Sequence, residues 1–125
     1  MRTRELLTVS IGGALGTLAR VGALEATEHY AHGSLIATLA ANLVGAFGLA
    51  FVLGRGLPEF PEWVRSGITI GFFGSYTTFS AIALITVTTP FVWAIGYLAL
   101  TLATGALAVL AGRSLGARAG RGLAP

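Results

Sequence analysis

Glycine and hydroxyl residues are concentrated in one stretch of an otherwise apolar sequence, G-F-F-G-S-Y-T-T-F-S at residues 71–80. Glycine weakens a helix interior by about 1 kcal/mol relative to alanine, and unpaired backbone groups are costly in lipid. The pattern therefore predicts an interrupted helix whose carbonyls can bind a small cation. The alternative is that the glycines allow close helix packing, while the hydroxyls bond to carbonyls one turn back.

Three further polar side chains lie inside apolar stretches, where they could contact an anion. Asn42 lies in A-N-L-V-G-A-F-G, and its amide group offers two N–H donors. Tyr97 and Thr101 are four residues apart and therefore share one face of a helix. An asparagine at membrane depth also commonly links two helices, and a threonine commonly bonds to its own backbone. The residues alone leave both interpretations open.

The elements that carry these residues are predicted to cross a membrane. Of 125 residues, 54% are hydrophobic and 10% are charged, whereas a soluble domain carries about 25% charged residues. A helix needs about 20 apolar residues to cross the hydrocarbon core. We therefore predict an all-α integral membrane protein with one domain and four transmembrane helices, at about 6–24, 34–53, 66–87 and 91–111. The glycine-rich, basic tail, 112–125, is predicted to be disordered.

The arginines are distributed asymmetrically between the two sides of this arrangement. The N-terminus, the second link and the tail lie on one side and carry seven of them: Arg2, Arg4, Arg55, Arg65, Arg113, Arg118 and Arg121. The first and third links carry none. Because positively charged loops stay in the cytoplasm, we predict a multi-pass protein of the plasma membrane with both termini cytoplasmic. The basic pI reflects these membrane-edge arginines, so nucleic-acid binding is not expected.

Two features of the first predicted helix concern packing and charge. Gly12 and Gly16 form a G-x-x-x-G pattern, which is typical of a close helix–helix contact. Arg20 lies near the far end of the helix, and it either extends its side chain toward the interface or pairs with an internal group.

The sequence argues against two other classes of function. All five glutamates lie at predicted helix ends or in links, and aspartate is absent. A small multidrug-resistance-type exporter, the alternative transporter interpretation, needs an intramembrane carboxylate for proton coupling. No Ser–His pair, phosphate-binding loop or clustered carboxylates point to catalysis, so an enzyme is not expected.

Taken in order, these motifs resemble the Fluc (CrcB) family of small bacterial and archaeal fluoride channels. The resemblance covers nearly the whole chain and is carried by four patterns: G-G-A-L-G-T-L-A-R, T-L-A-A-N-L-V-G-A-F-G, G-F-F-G-S-Y-T-T-F-S and the Tyr97/Thr101/Gly105 spacing. It implies a fluoride-selective channel subunit that passively exports cytoplasmic fluoride and so relieves fluoride toxicity. It also implies an antiparallel, dual-topology dimer in the lipid bilayer that encloses two pores.

The resemblance also implies roles for particular residues. Backbone carbonyls at Gly74 and Thr77 would hold a central structural Na⁺ shared with the second subunit. The anion pathway would include Asn42, Phe79, Ser80, Thr101 and Tyr97. Arg20 would have a structural or vestibular role, together with the packing glycines Gly12 and Gly16.

One position departs from the family pattern. The family continues T-T-F-S with a second phenylalanine three residues after the first, whereas this chain has Ile82 there. The positive edge of a phenyl ring can face an anion, and an aliphatic side chain offers no such edge. We therefore expect a pore lined by Ile82 to conduct poorly, and the chain could instead be a non-conducting partner that completes another subunit's pore.

The arginine bias and Ile82 together predict an obligate heterodimer with an oppositely biased, Fluc-type subunit rather than a homodimer. With a topology reporter at its C-terminus, the chain expressed alone should show one orientation, with the tail in the cytoplasm. Fluoride efflux should then require co-expression of the second subunit. Mixed orientation together with robust efflux from the chain alone would contradict this prediction.

Overall fold

Helices make up most of the described chain, which comprises residues 2–30 and 33–121 of the computed structural model. The helices, in chain order, are α1 (Thr3–Thr27), α2 (Gly33–Arg55), α3 (Glu62–Ser66), a π-helical segment (Gly67–Phe73), α4 (Gly74–Tyr76), α5 (Ser80–Thr88) and α6 (Phe91–Arg121). The described residues contain no strand. This arrangement confirms the predicted all-α class.

Four of the helical stretches are long and apolar enough to cross a membrane, as predicted. They are Thr3–Thr27, Leu35–Arg55, Glu62–Thr88 and Phe91–Arg121. The third, called here the third transmembrane segment, includes α3, the π-helical segment, α4 and α5. Proline precedes two of the helices: Pro61 comes before α3 and Pro90 before α6, in keeping with its fixed φ angle.

The backbones of α1 and the third transmembrane segment pack against each other at glycines. A methyl group on Gly12 would overlap the carbonyl oxygen of Gly67, and one on Gly16 would overlap that of Phe72. Gly71 in turn faces the backbone of α1 at Val9. This contact is the close packing that the G-x-x-x-G pattern predicts, and it holds the π-helical segment against α1.

A second glycine stripe joins α6 to α2. Gly112, Gly116 and Gly120 face the backbone carbonyls of Phe47, Phe51 and Arg55, and an added methyl group at Gly112 or Gly116 would overlap its carbonyl. Because these glycines recur every four residues, they lie on one face and let α6 follow α2 to its end.

The expectation of a disordered tail differs from the structure. Residues 112–121 continue α6 as a helix, because their glycines pack against α2; residues 122–125 lie outside the described chain. At 1.5 Å per residue, the 31-residue α6 is about 46 Å long. It therefore exceeds a hydrocarbon core of about 30 Å, and its last turns extend α6 past the apolar part of the span.

Gly116→Ala tests the α2–α6 contact. The added methyl group would meet the Phe51 carbonyl, and overpacking of this kind costs about 1–3 kcal/mol. The free energy of unfolding, measured by denaturant titration in micelles, should fall by that amount. Gly96→Ala is the matched control, since nothing lies within 4 Å of the added methyl group on the same helix. Equal stability of the two variants would show that the close contact is absent.

Candidate functional site

The helical path of the third transmembrane segment is interrupted between α4 and α5. Tyr76 is the last residue of α4, Thr77 has extended backbone angles (φ −79°, ψ 155°), and α5 starts at Ser80. Gly74 itself is helical, with φ −62° and ψ −31°. The interruption therefore follows the glycine instead of beginning at it, and residues 77–79 form the non-helical connection.

Asn42 on α2 binds the backbone of this connection with both ends of its side-chain amide. Its Oδ1 accepts the N–H of Thr78 at 2.7 Å, and its Nδ2 donates to the Thr78 carbonyl oxygen at 3.0 Å. A continuous helix would satisfy both groups of Thr78 internally. Asn42 thus replaces two helical hydrogen bonds, which agrees with the interpretation of Asn42 as a link between helices.

Arg20 on α1 binds the same interruption from the other side. Its Nε donates to the carbonyl oxygen of Ser75 at 3.2 Å, a group that a continuous α-helix would pair with the N–H of residue 79. Arg20 therefore pairs with an internal group and does not simply extend toward the membrane interface. The guanidinium also places a positive charge at the C-terminal end of α4, where helix dipoles favour cations.

The Thr78 side chain binds an N–H in the first turn of α5, and this contact changes the pairing of the backbone carbonyls before the helix. Its Oγ1 accepts the N–H of Ala81 at 3.3 Å, and Thr78 lies one residue before Phe79, the N-cap of α5. In a continuous helix the Ala81 N–H would donate to Thr77, and the Thr78 N–H would donate to Gly74. Both donors are directed to side-chain oxygens instead. The Gly74 and Thr77 carbonyls therefore lose these helical donors. The Tyr76 carbonyl receives no bond from Ser80 either.

The hydroxyl of Thr77 follows the alternative interpretation of the hydroxyl-rich stretch. Thr77 Oγ1 donates to the carbonyl oxygen of Phe73, four residues back, at 3.0 Å. Within the stretch, Gly71 packs closely against α1, whereas an added methyl group on Gly74 would have no neighbour nearer than 4.0 Å. One threonine bonds its own helix, and residues 77–79 are not helical.

A cavity of about 700 Å³ lies beside the interruption and is called here the Asn42–Arg113 groove. Its walls come from α2, the 77–79 connection, α5 and α6. The lining residues are Leu39, Asn42, Leu43, Ala46, Leu49, Ala50, Leu53, Thr77, Thr78, Phe79, Ile82, Thr101, Gly105, Val109 and Arg113. The groove is therefore mostly apolar, with few polar groups and one charged side chain among the described lining residues.

Thr101 is the least satisfied polar side chain of the groove. The residue is 9% exposed. Its Oγ1 makes no hydrogen bond of good geometry within the described chain, although the hydroxyl of Tyr97, which donates to the Leu35 carbonyl, lies close by. Several other threonines, such as Thr104 and Thr86, donate to a carbonyl four residues back. A buried hydroxyl without a partner costs about 1–3 kcal/mol, so the Thr101 hydroxyl is a hydrogen-bonding group available to a ligand in the groove.

Phe79 and Ile82 both line the groove but differ in exposure. Phe79 is 77% exposed, whereas Ile82 is 7% exposed and packs into the wall. The groove thus brings together three of the predicted anion-pathway residues: Asn42, Phe79 and Thr101. Ile82 therefore gives this part of the groove wall an aliphatic surface.

Two predicted pathway residues lie outside the groove lining. The hydroxyl of Ser80 shares a hydrogen bond with Thr78 Oγ1 at 3.1 Å. The hydroxyl of Tyr97 donates to the Leu35 carbonyl oxygen at 3.2 Å, which ties α6 to the start of α2. In the single chain both side chains therefore contact protein groups and take no part in the groove wall.

Sequence reasoning missed two residues of the site. The backbone of Thr78 is bound by Asn42, and this partner on α2 does not follow from the residue type of Thr78. Arg113 lines one end of the groove, and the sequence did contain a signal for it. Thr101, Gly105, Val109 and Arg113 recur every four residues, so each lies about 40° around the helix from the one before and the row winds slowly along α6.

Asn42→Leu should release the backbone of the connection. Loss of a partner for a buried polar group costs about 1–3 kcal/mol, so amide exchange at Thr78 should accelerate about tenfold or more. Hydrogen–deuterium exchange resolved at residue level measures this. Arg20→Met is the control, because Arg20 bonds to Ser75 and leaves the Thr78 N–H paired. Unchanged exchange at Thr78 in Asn42→Leu would contradict the role of Asn42 in pairing this group.

Comparison with known proteins places the chain among membrane channels. A family model described as "CrcB-like protein, Camphor Resistance (CrcB)" matches residues 7–113. A protein of Pseudomonas fluorescens strain Pf-5 is 40% identical over 121 residues, covering 88% of this chain and 94% of the relative. One from Azotobacter vinelandii is 36% identical over 115 residues, with 85% and 91% covered.

A third relative, from Bordetella petrii, is 37% identical over 113 residues, with 86% of each chain covered. All three relatives are named "Fluoride-specific ion channel FluC". Ion channels move ions without chemical conversion, so the family gives a positive reason for a function other than catalysis. The match extends from α1 into α6 and includes every groove residue described above, and the chain belongs to the CrcB family of fluoride-specific ion channels.

Proposed function

We propose that the chain is a channel subunit that lets cytoplasmic fluoride leave the cell passively and so relieves fluoride toxicity. Family membership supports the ion, because the relatives are named fluoride-specific. The observation that carries the proposal for this chain is the buried Thr101 hydroxyl, which makes no hydrogen bond of good geometry within the described residues and lines the Asn42–Arg113 groove.

Fluoride is small and strongly hydrated, so a pore must replace its water with close hydrogen-bond donors. The Thr101 hydroxyl is one such donor. Asn42 Nδ2 carries two hydrogens, and its contact with the Thr78 carbonyl uses one of them, which leaves the second for an anion. The exposed ring of Phe79 adds a positive edge. The mostly aliphatic walls lower the local dielectric constant, which strengthens each of these contacts.

The proposed assembly is an antiparallel dimer with a second CrcB-type subunit, and a heterodimer is favoured over a homodimer. Two features of this chain support the preference. Seven arginines lie on one side of the membrane spans, which fixes a single insertion orientation. Ile82 also gives this chain's groove wall an aliphatic surface where a ring edge is expected. A different partner would supply both the opposite orientation and a competent pore wall.

A structural Na⁺ at the centre of this dimer is part of the proposal. The donor chemistry fits, because the Gly74 and Thr77 carbonyls have lost their helical donors and unwound carbonyls bind Na⁺ in other membrane proteins. Equivalent carbonyls of the second subunit would complete the oxygen ligands. When bound, the ion supplies positive charge and joins the two interrupted segments. Arg20 and Asn42 hold the interruption in shape from within this chain.

The proposed location is the plasma membrane, with both termini in the cytoplasm. The groove end near Arg113 would then face the cytoplasm, because Arg113 lies near the C-terminal end of α6. The end of α1 that carries Arg20 would lie toward the opposite side.

Thr101→Val tests the proposed role of the groove. The substitution removes the hydroxyl with little change of shape, so fluoride efflux from liposomes containing the conducting assembly should fall about tenfold, the loss expected for about 1.4 kcal/mol. Stability should stay equal or rise, because an unpaired buried hydroxyl is removed. A fluoride electrode measures the efflux, and denaturant titration measures the stability.

Thr104→Val is the matched control on the same helix. Its hydroxyl donates to the Leu100 carbonyl and lies outside the groove lining, so efflux should be unchanged. Wild-type efflux of Thr101→Val would remove the hydroxyl from the anion path. Absence of fluoride efflux from the wild-type chain, both alone and with a second CrcB-type subunit, would overturn the proposed function.

A further inference from the structure

A row of α6 residues that winds along the groove connects its buried hydroxyl to a positive charge at its end. Thr101, Gly105, Val109 and Arg113 all line the groove and are spaced by four residues along the helix. At 1.5 Å per residue, Arg113 lies about 18 Å along the axis from Thr101. Aliphatic residues and a glycine separate the two, so Arg113 supplies the only formal charge among the described lining residues.

The guanidinium of Arg113 is not committed to another group of the described chain. Arg55 forms an ion pair with Glu59 at 2.6 Å, Arg20 donates to the Ser75 carbonyl, and Arg65 donates to the Gly56 carbonyl at 3.4 Å. Arg113 has no ion pair and no side-chain hydrogen bond within residues 2–30 and 33–121, and it is exposed. Its full positive charge is therefore available to ions at this end of the groove.

The backbone of Arg113 is held firmly although its side chain is exposed. Gly54 on α2 packs against the Arg113 carbonyl oxygen, and the neighbouring Gly112 packs against Phe47. These contacts fix the height of Arg113 at the end of α2. The charge is thus placed at a defined position beside the groove and does not depend on a mobile tail.

We propose that Arg113 collects small anions at the end of the Asn42–Arg113 groove and sets the rate at which they enter it at low ionic strength. The proposal rests on the proposed function for its link to fluoride. An anion approaching from the Arg113 end meets a positive charge first, and uncharged donors at Asn42 and Thr101 only deeper in the groove. One sign of charge at the mouth of a cleft with low-dielectric walls raises the local concentration of the opposite ion.

Screening makes this role measurable. An exposed charge acts over about 30 Å at 0.01 M salt but over only about 3 Å at 1 M. The effect of Arg113 on anion entry should therefore be large in dilute salt and nearly disappear in concentrated salt. A residue that matters only for folding would affect both conditions equally.

Arg118 offers a matched comparison on the same helix. It is exposed and outside the groove lining. It lies five positions beyond Arg113 along α6, about 7.5 Å further from Thr101. Arg113→Gln and Arg118→Gln remove the same charge, one at the groove and one away from it.

The first measurement is fluoride efflux from liposomes that contain the conducting assembly, at 0.01 M and 1 M of an impermeant salt. Arg113→Gln should lower the efflux about two- to tenfold in dilute salt, near the lower end of the range for electrostatic steering, and by less than twofold in concentrated salt. Arg113→Lys keeps the positive charge, so its efflux should equal that of the wild-type chain. Arg118→Gln should also leave efflux unchanged.

The second measurement needs no conduction. The chain contains no cysteine, so Val109→Cys places a single thiol in the groove one turn from Arg113. Its reaction rate with an anionic and with a cationic methanethiosulfonate reagent reports the local potential. Adding Arg113→Gln should lower the anionic-to-cationic rate ratio about two- to tenfold in dilute salt, and adding Arg118→Gln should leave the ratio unchanged.

The outcomes separate this inference from the proposed function. If the wild-type assembly carries no fluoride but the thiol ratio depends on Arg113, the channel function fails and the anion-collecting role stands. If Arg113→Gln and Arg118→Gln give the same thiol ratio, the anion-collecting role is overturned whatever the efflux. If the ratio changes but efflux does not, Arg113 collects anions without setting the rate, and that part of the proposal is overturned.

Discussion

The pairing of Thr78 with Asn42 is the interaction on which the candidate site depends. A helix interruption at membrane depth would leave backbone groups without partners, at a cost of several kcal/mol each. Asn42 satisfies the N–H and the carbonyl of Thr78 together, and Arg20 satisfies the Ser75 carbonyl. With those groups paired, the chain can hold the 77–79 connection open and leave the Gly74 and Thr77 carbonyls without their helical donors.

Close backbone packing is the second condition, and glycine provides it at two interfaces. Gly12 and Gly16 bring α1 against the π-helical segment, while Gly112 and Gly116 bring α6 against α2. The first interface sets the position of Arg20 along the helix axis relative to Ser75. The second sets the position of Arg113 relative to the end of the groove. Small residues thus fix where the two arginines lie, and their charges act on the interruption and on the end of the groove.

The sequence was sufficient for features that depend on composition and local period. Apolar length predicted four membrane helices and G-x-x-x-G predicted the α1 contact. The resemblance to the Fluc family named Asn42, Phe79 and Thr101 together, and these three residues line one groove. Features that depend on tertiary contacts were not predictable. The helical state of residues 112–121 needs the carbonyls of α2, and the pairing of Asn42 needs a neighbouring segment that is not helical.

The site balances two opposing demands on its hydrogen-bond donors. Backbone carbonyls at membrane depth need hydrogen-bond donors from the protein. A dehydrated anion needs donors that are not already bonded to the protein. Asn42 meets both demands, because one hydrogen of Nδ2 binds Thr78 and the other remains for the groove. Thr101 contributes an unpaired hydroxyl, but Ile82 contributes none. Among the described lining residues, the donors that remain for the groove are therefore few, and most of its wall is aliphatic.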